Sequence, residues 1–169
     1  MNHLSDKRGG IQQSENLENN ITNGEISLRG VQANDMQDLF NWRNHPDIRK
    51  NFFNTKSISW DDHEKWFKKK IKDKKTKIYM AYYQKQKIGA IRFEDTGDEI
   101  KVSVMLNPEY LGKGFGSKII RMATEIFIKE RNPEKTVCAK IKVDNVASIK
   151  AFQKAGYKEN HMVLMYKNE

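Results

Sequence analysis

Hydrophobic positions in this chain change period several times, and each change marks an element. Val102, Val104 and Leu106 alternate with Lys101, Ser103 and Met105, the period of a half-buried strand over residues 101–106. Just beyond, Phe115, Ile119, Met122 and Ile126 recur at helical spacing, with Ile120, Ala123 and Phe127 widening the stripe. Upstream, residues 26–31 read as a short strand. Met36, Leu39 and Phe40 form a helical stripe that Asn34 precedes and Pro46 stops. Ser59, with Asp62 three residues on, caps a second helix carrying Trp60, His63, Phe67 and Ile71 on one side. Residues 78–83 and 88–94 are two strands joined by the polar turn Gln84-Lys85-Gln86-Lys87. After the long helix, Asn132-Pro133 is a stop signal, and Val137, Ala139, Ile141 and Val143 alternate as a strand. Asn145 then caps a helix bearing Val146, Ile149 and Phe152, which Gly156 ends, and residues 162–166 read as a last strand.

The predicted order is β-α-α-β-β-β-α-β-α-β. A strand, a crossover helix and a further strand imply one parallel pair, while the hairpins before it imply antiparallel pairing. The fold class is therefore α/β, a mixed, mostly antiparallel central sheet with flanking helices. Residues 1–25 are polar, rich in Asn, Gln, Ser and Glu, and read as a flexible N-terminal extension. Residues 26–169 form a single domain.

Between the strand at 101–106 and the long helix lies Leu111-Gly112-Lys113-Gly114-Phe115-Gly116-Ser117. Glycines let the backbone take otherwise forbidden angles and let a ligand come close. A helix start offers unpaired N–H groups and partial positive charge. Together they predict a seat for a phosphate or diphosphate. The spacing matches neither the dinucleotide fingerprint nor the Walker loop.

Composition narrows the rest. At 169 residues the chain is the size of one domain, and 37% hydrophobic with 31% charged residues suits a soluble globular protein. No apolar run approaches the ~20 residues of a membrane span. One cysteine, Cys138, excludes an intrachain disulfide framework and fits a cytoplasmic location. The net charge of +9 favours anionic ligands in general. Lys68–Lys77 holds seven lysines, but no aromatic residues are interleaved as a nucleic-acid stacking platform would require. Nucleic acid is thus disfavoured as a partner, and no metal-ligand cluster stands out.

The glycine loop and the segment Asn145…Ser148…Phe152…Gly156-Tyr157 together resemble the GNAT N-acetyltransferase superfamily, over about residues 26–166. That family's loop reads Gln/Arg-x-x-Gly-x-Gly/Ala, and its last helix Asn-x-x-Ala/Ser-x-x-x-Tyr-x-x-x-Gly-Phe. The resemblance implies acetyl-CoA as cofactor. Backbone of Val104, Met105 and Leu106 would hold pantetheine, amides of residues 111–117 the pyrophosphate, and Asn145, Ser148 and Phe152 would lie beside the coenzyme. Met105 or Leu106 would supply a backbone oxyanion donor. The chain departs from the family at Leu111, where Gln or Arg is usual, and at Phe152, where a tyrosine often protonates the leaving thiolate.

A third group, Trp42-Arg43-Asn44, Arg49 and His63-Glu64-Lys65-Trp66, is similar to acetyltransferases of the pseudaminic-acid pathway, which modify a UDP-linked 4-amino-deoxy sugar. It implies Trp42, Arg43, Asn44, Arg49, His63 and Trp66 as acceptor-binding residues. Arginine suits a bidentate grip on a diphosphate, and tryptophan can stack on a base or sugar. Water relayed by Glu94, Ser103 or His63 would take the amine proton. The partner is then a small-molecule amine, an anionic nucleotide sugar in the first instance, and the protein is a monomer or homodimer. Alternatives are a protein or polyamine acetyltransferase of the same fold, or a catalytically silent acyl-CoA-binding module.

Overall fold

In the computed structural model, which describes residues 21–23 and 26–160, six strands form one sheet in the order β1-β2-β3-β4-β5-β6. The strands are β1 Ile21–Asn23, β2 Ile26–Gly30, β3 Thr76–Tyr83, β4 Gln86–Asp95, β5 Ile100–Leu106 and β6 Val137–Ala139. All neighbours are antiparallel except β5 and β6, which are joined through the long helix and run parallel. The mixed α/β sheet with flanking helices is as the alternation predicts. One strand lies upstream of the expected boundary at residue 26: β1 pairs with β2 from Ile21↔Leu28 to Asn23↔Ile26. The strand expected at 162–166 lies outside the described residues.

The helices are α1 Met36–Asn44, α2 Pro46–Arg49, α3 Trp60–Lys70, α4 Phe115–Arg131 and α5 Val146–Lys154. They cover both faces. On one side Ile119, Ile120, Ala123 and Phe127 of α4 and Phe152 of α5 bury against Ile91, Phe93 and Val102, with Phe93 stacked on Phe127 at 4.3 Å. On the other, Leu39, Trp42 and Phe67 of α1 and α3 bury against Met80 and Ala90. The period-2 alternation of β3 and β4 sends neighbouring residues to opposite cores.

Caps fall mostly where the side chains dictate. Ser59 Oγ accepts from the Asp62 amide at the start of α3, and Asn145 Oδ1 accepts from the Ser148 amide at the start of α5. Asn34 does not cap α1. A 3-10 turn, Ala33–Asp35, precedes that helix, and Asp35 accepts from the Gln32 amide at 2.8 Å. Asp35 is fully buried and bonds Arg29 at 2.7 and 2.9 Å and Lys87 at 2.8 Å. Burial alone would push its carboxyl up. The hydrogen bonds from Arg29 and Lys87 outweigh that and hold it below the usual carboxylate range.

The β3–β4 turn is tighter than its polar run suggests. Tyr83 pairs with Gln86, so only Gln84 and Lys85 turn, at φ 47° and 68°. The register then slips: Tyr82 pairs with Lys87 and Ala81 with Gly89, leaving Ile88 as a bulge. The lysine-rich segment is divided by ion pairs: Lys68 with Glu64, Lys70 with Glu94 and Lys77 with Glu130. No helix among the described residues is long and apolar enough to cross a membrane.

Candidate active site

Two openings meet at β5. The first is a gap in the sheet. β6 pairs with β5 only from Ile100↔Val137 to Val102↔Ala139. The predicted continuation through Ile141 and Val143 is absent, and Val143 is exposed. Val104, Met105 and Leu106 stay bonded to β4, but among the described residues no strand continues along their other edge. Backbone donors and acceptors on such an edge are available to an extended ligand.

The glycine loop stands next to this edge. Gly112 and Gly114 take φ 71° and 79°, angles that a Cβ makes unfavourable. Gly114 is the N-cap of α4, with no side chain to bond the first-turn amides and no acidic residue in that turn. Those amides and the helix dipole form an anion seat. Phe115 is anchored by ring contacts with Tyr83 and Tyr110, and Lys113 Nζ lies 5.0 Å over the Tyr110 ring. A Cβ on Gly116 would meet Ala151 of α5 at 3.6 Å and Leu106 of β5 at 3.8 Å, so loop, strand end and last helix converge. An open strand edge leading to an uncapped helix start fits a long ligand with a phosphate end, as the coenzyme requires. Leu111 is partly exposed and adds no polar group, and the Ser117 side chain is buried. Phe152 is a core residue, packed edge-on against Tyr157, whose hydroxyl is engaged by Thr124 at 2.7 Å.

The second opening is a cavity of about 390 Å³ between α1, α3 and the strands β4 and β5. Ser103 and Met105 face it, while Val104 and Leu106, although Val104 also touches its rim, pack towards α4. Arg43, His63 and Trp66 of the sequence-predicted acceptor group line it. Trp42 does not; it is buried in the core beneath α1. Asn44 bonds both backbone groups of Ile58, at 3.0 and 2.9 Å, and so pins the loop that carries the cavity residues Phe52 and Ile58. Arg49 is half-buried off the wall, close enough that its charge lowers the pKa of Arg43, after the larger effect of burial.

Arg43 lies 4.3 Å over the Phe52 ring and donates from Nη2 to the Asn54 carbonyl at 2.7 Å; its buried Nη1 has no partner. Arg92, missed in the sequence, joins it on the wall. Its guanidinium lies 5.3 Å over Trp66, its buried Nε has no acceptor, and Glu94 Oε2 stands 3.6 Å off, beyond hydrogen-bond reach. Trp66 therefore already carries a cation on its ring and is not a free stacking face. The signal for Arg92 was its parity: two residues from Ala90, it must share that inward face.

The three proton-relay candidates separate. Ser103 is on the wall, paired across the ladder with Arg92. His63 is also there, its ring among Phe40, Trp60, Trp66 and Phe67. Its Nε2 lies 2.9 Å from the Met36 carbonyl, which can only accept, so Nε2 carries the proton and Nδ1 keeps its lone pair. Burial lowers its pKa, opposed by that hydrogen bond, and the ring is neutral at pH 7. Glu94 does not line the cavity. Burial raises its pKa, but the Lys70 hydrogen bond and the charge of Arg92 prevail and hold it below the usual carboxylate range, which makes it a poor base. Burial and then Glu99 push the Cys138 thiol up, away from the nucleophilic thiolate.

Comparison with known proteins shows the family and the fold. The family model described as "Acetyltransferase (GNAT) domain" matches residues 25–158. Over 137 residues the chain is 28% identical to Acetyltransferase PseH of Campylobacter jejuni subsp. jejuni, covering 79% of this chain and 80% of that protein. It is 23% identical over 146 residues to the Spermidine N(1)-acetyltransferase of Vibrio cholerae, covering 83% and 84%. The crystal structure of the Vibrio cholerae spermidine N-acetyltransferase in complex with CoA and spermine superposes with a TM-score of 0.74 at 22% identity, covering 87% of this chain and 89% of that one.

Proposed function

The chain belongs to the GNAT acetyltransferase family, and from that premise we propose that its acceptor is a primary amine on an anionic small molecule, a UDP-linked 4-amino-deoxy sugar being the specific candidate. It is an enzyme, an N-acetyltransferase, and its cofactor is acetyl-CoA. The coenzyme supplies an activated thioester, whose C–S bond is exchanged for the amide C–N bond while the amine proton leaves with the thiol.

The chain's own residues do the remaining work. The open edge of Val104–Met105–Leu106 orients the acyl arm, and the first-turn amides of α4 hold the phosphates. A backbone N–H at Met105 or Leu106 meets the oxyanion. Ser103 and His63, on the cavity wall, relay the amine proton. Holding both substrates at one strand supplies much of the rate.

The observation that carries the acceptor class is the charge of the cavity wall. Two guanidinium groups, Arg43 and Arg92, each present a buried nitrogen without a hydrogen-bond partner, while among the described residues Asp62 is the single carboxylate on the wall. A polycation would meet like charges there. The polyamine reading draws on Asp62 and on the spermidine-named relative, but Asp62 is already bonded by Ser59 at 2.8 Å. The test is thiol release from acetyl-CoA with a UDP-linked 4-amino-deoxy sugar, spermidine and a lysine peptide. The highest kcat/KM is expected for the nucleotide sugar, with Arg43→Ala raising its KM and leaving coenzyme affinity unchanged. Faster turnover of spermidine overturns the reading.

A further inference from the structure

We propose that Arg92 selects the acceptor by holding an anionic group about one sugar ring away from the reacting amine. This rests on the reading of the cavity as the acceptor site. Arg92 pairs with Ser103, on the same sheet face as Ala90 and its partner Met105. These pairs are two residue steps apart along the strand, a distance of ~7 Å. The guanidinium lies over Trp66 and beside Glu94, which continues away from Met105 along β4. An amine presented at Met105 therefore stands at one end of a ruler whose other end is cationic.

Three features make that end a receptor. Its Nε is buried and unpartnered, so the free protein leaves a donor that a ligand oxyanion can satisfy. Trp66 lies against the group, with Cζ 5.3 Å from the ring centroid, which restricts its freedom before an anion binds. The charge is also only partly compensated, because its one ion-pair partner among the described residues, Glu94, stands 3.6 Å from Nε and is shared with Lys70. Arg43 Nη1 supplies a second unpartnered donor on the same cavity. The ligand class is an amine with a phosphate or carboxylate across a ring from it, as a 4-amino sugar 1-phosphate provides and a 2-amino isomer does not.

The test compares wild type, Arg92→Gln and Arg92→Lys, with four acceptors: a UDP-linked 4-amino sugar, its 2-amino isomer, a phosphate-free 4-amino hexose, and a 4-amino sugar with a carboxylate on C1 in place of the phosphate, to separate carboxylate from phosphate. Arg92→Gln is expected to raise KM for the UDP-linked 4-amino sugar about 10- to 100-fold, the range for a charge-assisted hydrogen bond. KM for the phosphate-free hexose and acetyl-CoA affinity stay unchanged, and the lysine variant restores binding only in part. Discrimination by the wild type between the 4-amino and 2-amino isomers shrinks in the variant. An unchanged KM for the UDP sugar in a folded Arg92→Gln protein overturns the proposal while leaving the acceptor reading intact, as does an equal loss on the phosphate-free hexose. Wild-type preference for spermidine over every anionic amine overturns both.

Discussion

Gly89 and Met105 meet so closely that a Cβ on Gly89 would stand 2.8 Å from the Met105 carbonyl oxygen and 3.2 Å from Leu106 Cα. The glycine sits beside the Ile88 bulge, where β4 presses on the open end of β5. Gly89→Ala must move backbone, not a flexible side-chain tip. It should cost about 1–3 kcal/mol of stability. Because the displaced backbone belongs to the strand proposed to hold the coenzyme, acetyl-CoA affinity should fall about tenfold or more, measured by titration calorimetry on folded protein. Unchanged affinity would show that β5 is not the coenzyme's seat.

Gly114→Asp should abolish coenzyme binding, because it sets a carboxylate at the uncapped start of α4. Backbone strain alone costs about 1–2 kcal/mol at such a positive φ. Gly97→Asp controls for it: Gly97 also has positive φ, with open space around it, but lies in the β4–β5 turn. The control should lose stability and keep its affinity. Equal affinity in both variants would sink the loop assignment.

Asp35 is the charge on which the α1 entry depends. Asp35→Asn leaves Arg29 and Lys87 facing an amide and should cost about 3–5 kcal/mol, read from urea unfolding at pH 7. Its folded pKa is depressed, so its stabilisation is present above the unfolded value and is lost as pH falls through the folded one. The variant should therefore show a shallower acid-unfolding limb than wild type.

His63 has the same sign but acts at a higher pH. Its folded pKa is lowered by burial, so the unfolded chain takes the proton more readily. Stability should be full above about pH 6.5 and decline as pH falls below that unfolded value. His63→Phe should flatten this slope between pH 7.5 and 5. It should also lower the plateau by about 1–3 kcal/mol, because the Met36 carbonyl loses its donor. A slope unaltered by the substitution would assign the pH response to other groups.

Much of the fold was legible because its signals are local. The α3 cap at Ser59, the α5 cap at Asn145 and the switch from period 2 to period 3.6 around Gly112–Gly116 are each written within a few residues. What escaped is set by partners distant in sequence. Asn34 looks like a cap for α1, but the helix entry is fixed by Asp35, whose ion partners are Arg29 and Lys87. The alternation at Ile141 and Val143 looks like strand, but the divergence from β5 leaves it unpaired. On the acceptor side, Trp42 and Trp66 look alike in sequence. Which one reaches the cavity depends on how α1 and α3 pack, and Arg92 acquires its meaning only when β4 is laid beside β5.

The alternating faces of β5 also bear on how such a protein can change over generations. On the function proposed above, one strand offers its edge to the coenzyme and two of its side chains, Ser103 and Met105, to the cavity that α1, α3 and β4 also line. On that reading, substitutions at Arg43, Trp66 or Arg92 redirect the choice of amine without passing through an ancestor that has lost its acetyl donor. Drift on one face is buffered from selection on the other, which is the condition for a single scaffold to diversify into many acceptors by short mutational steps.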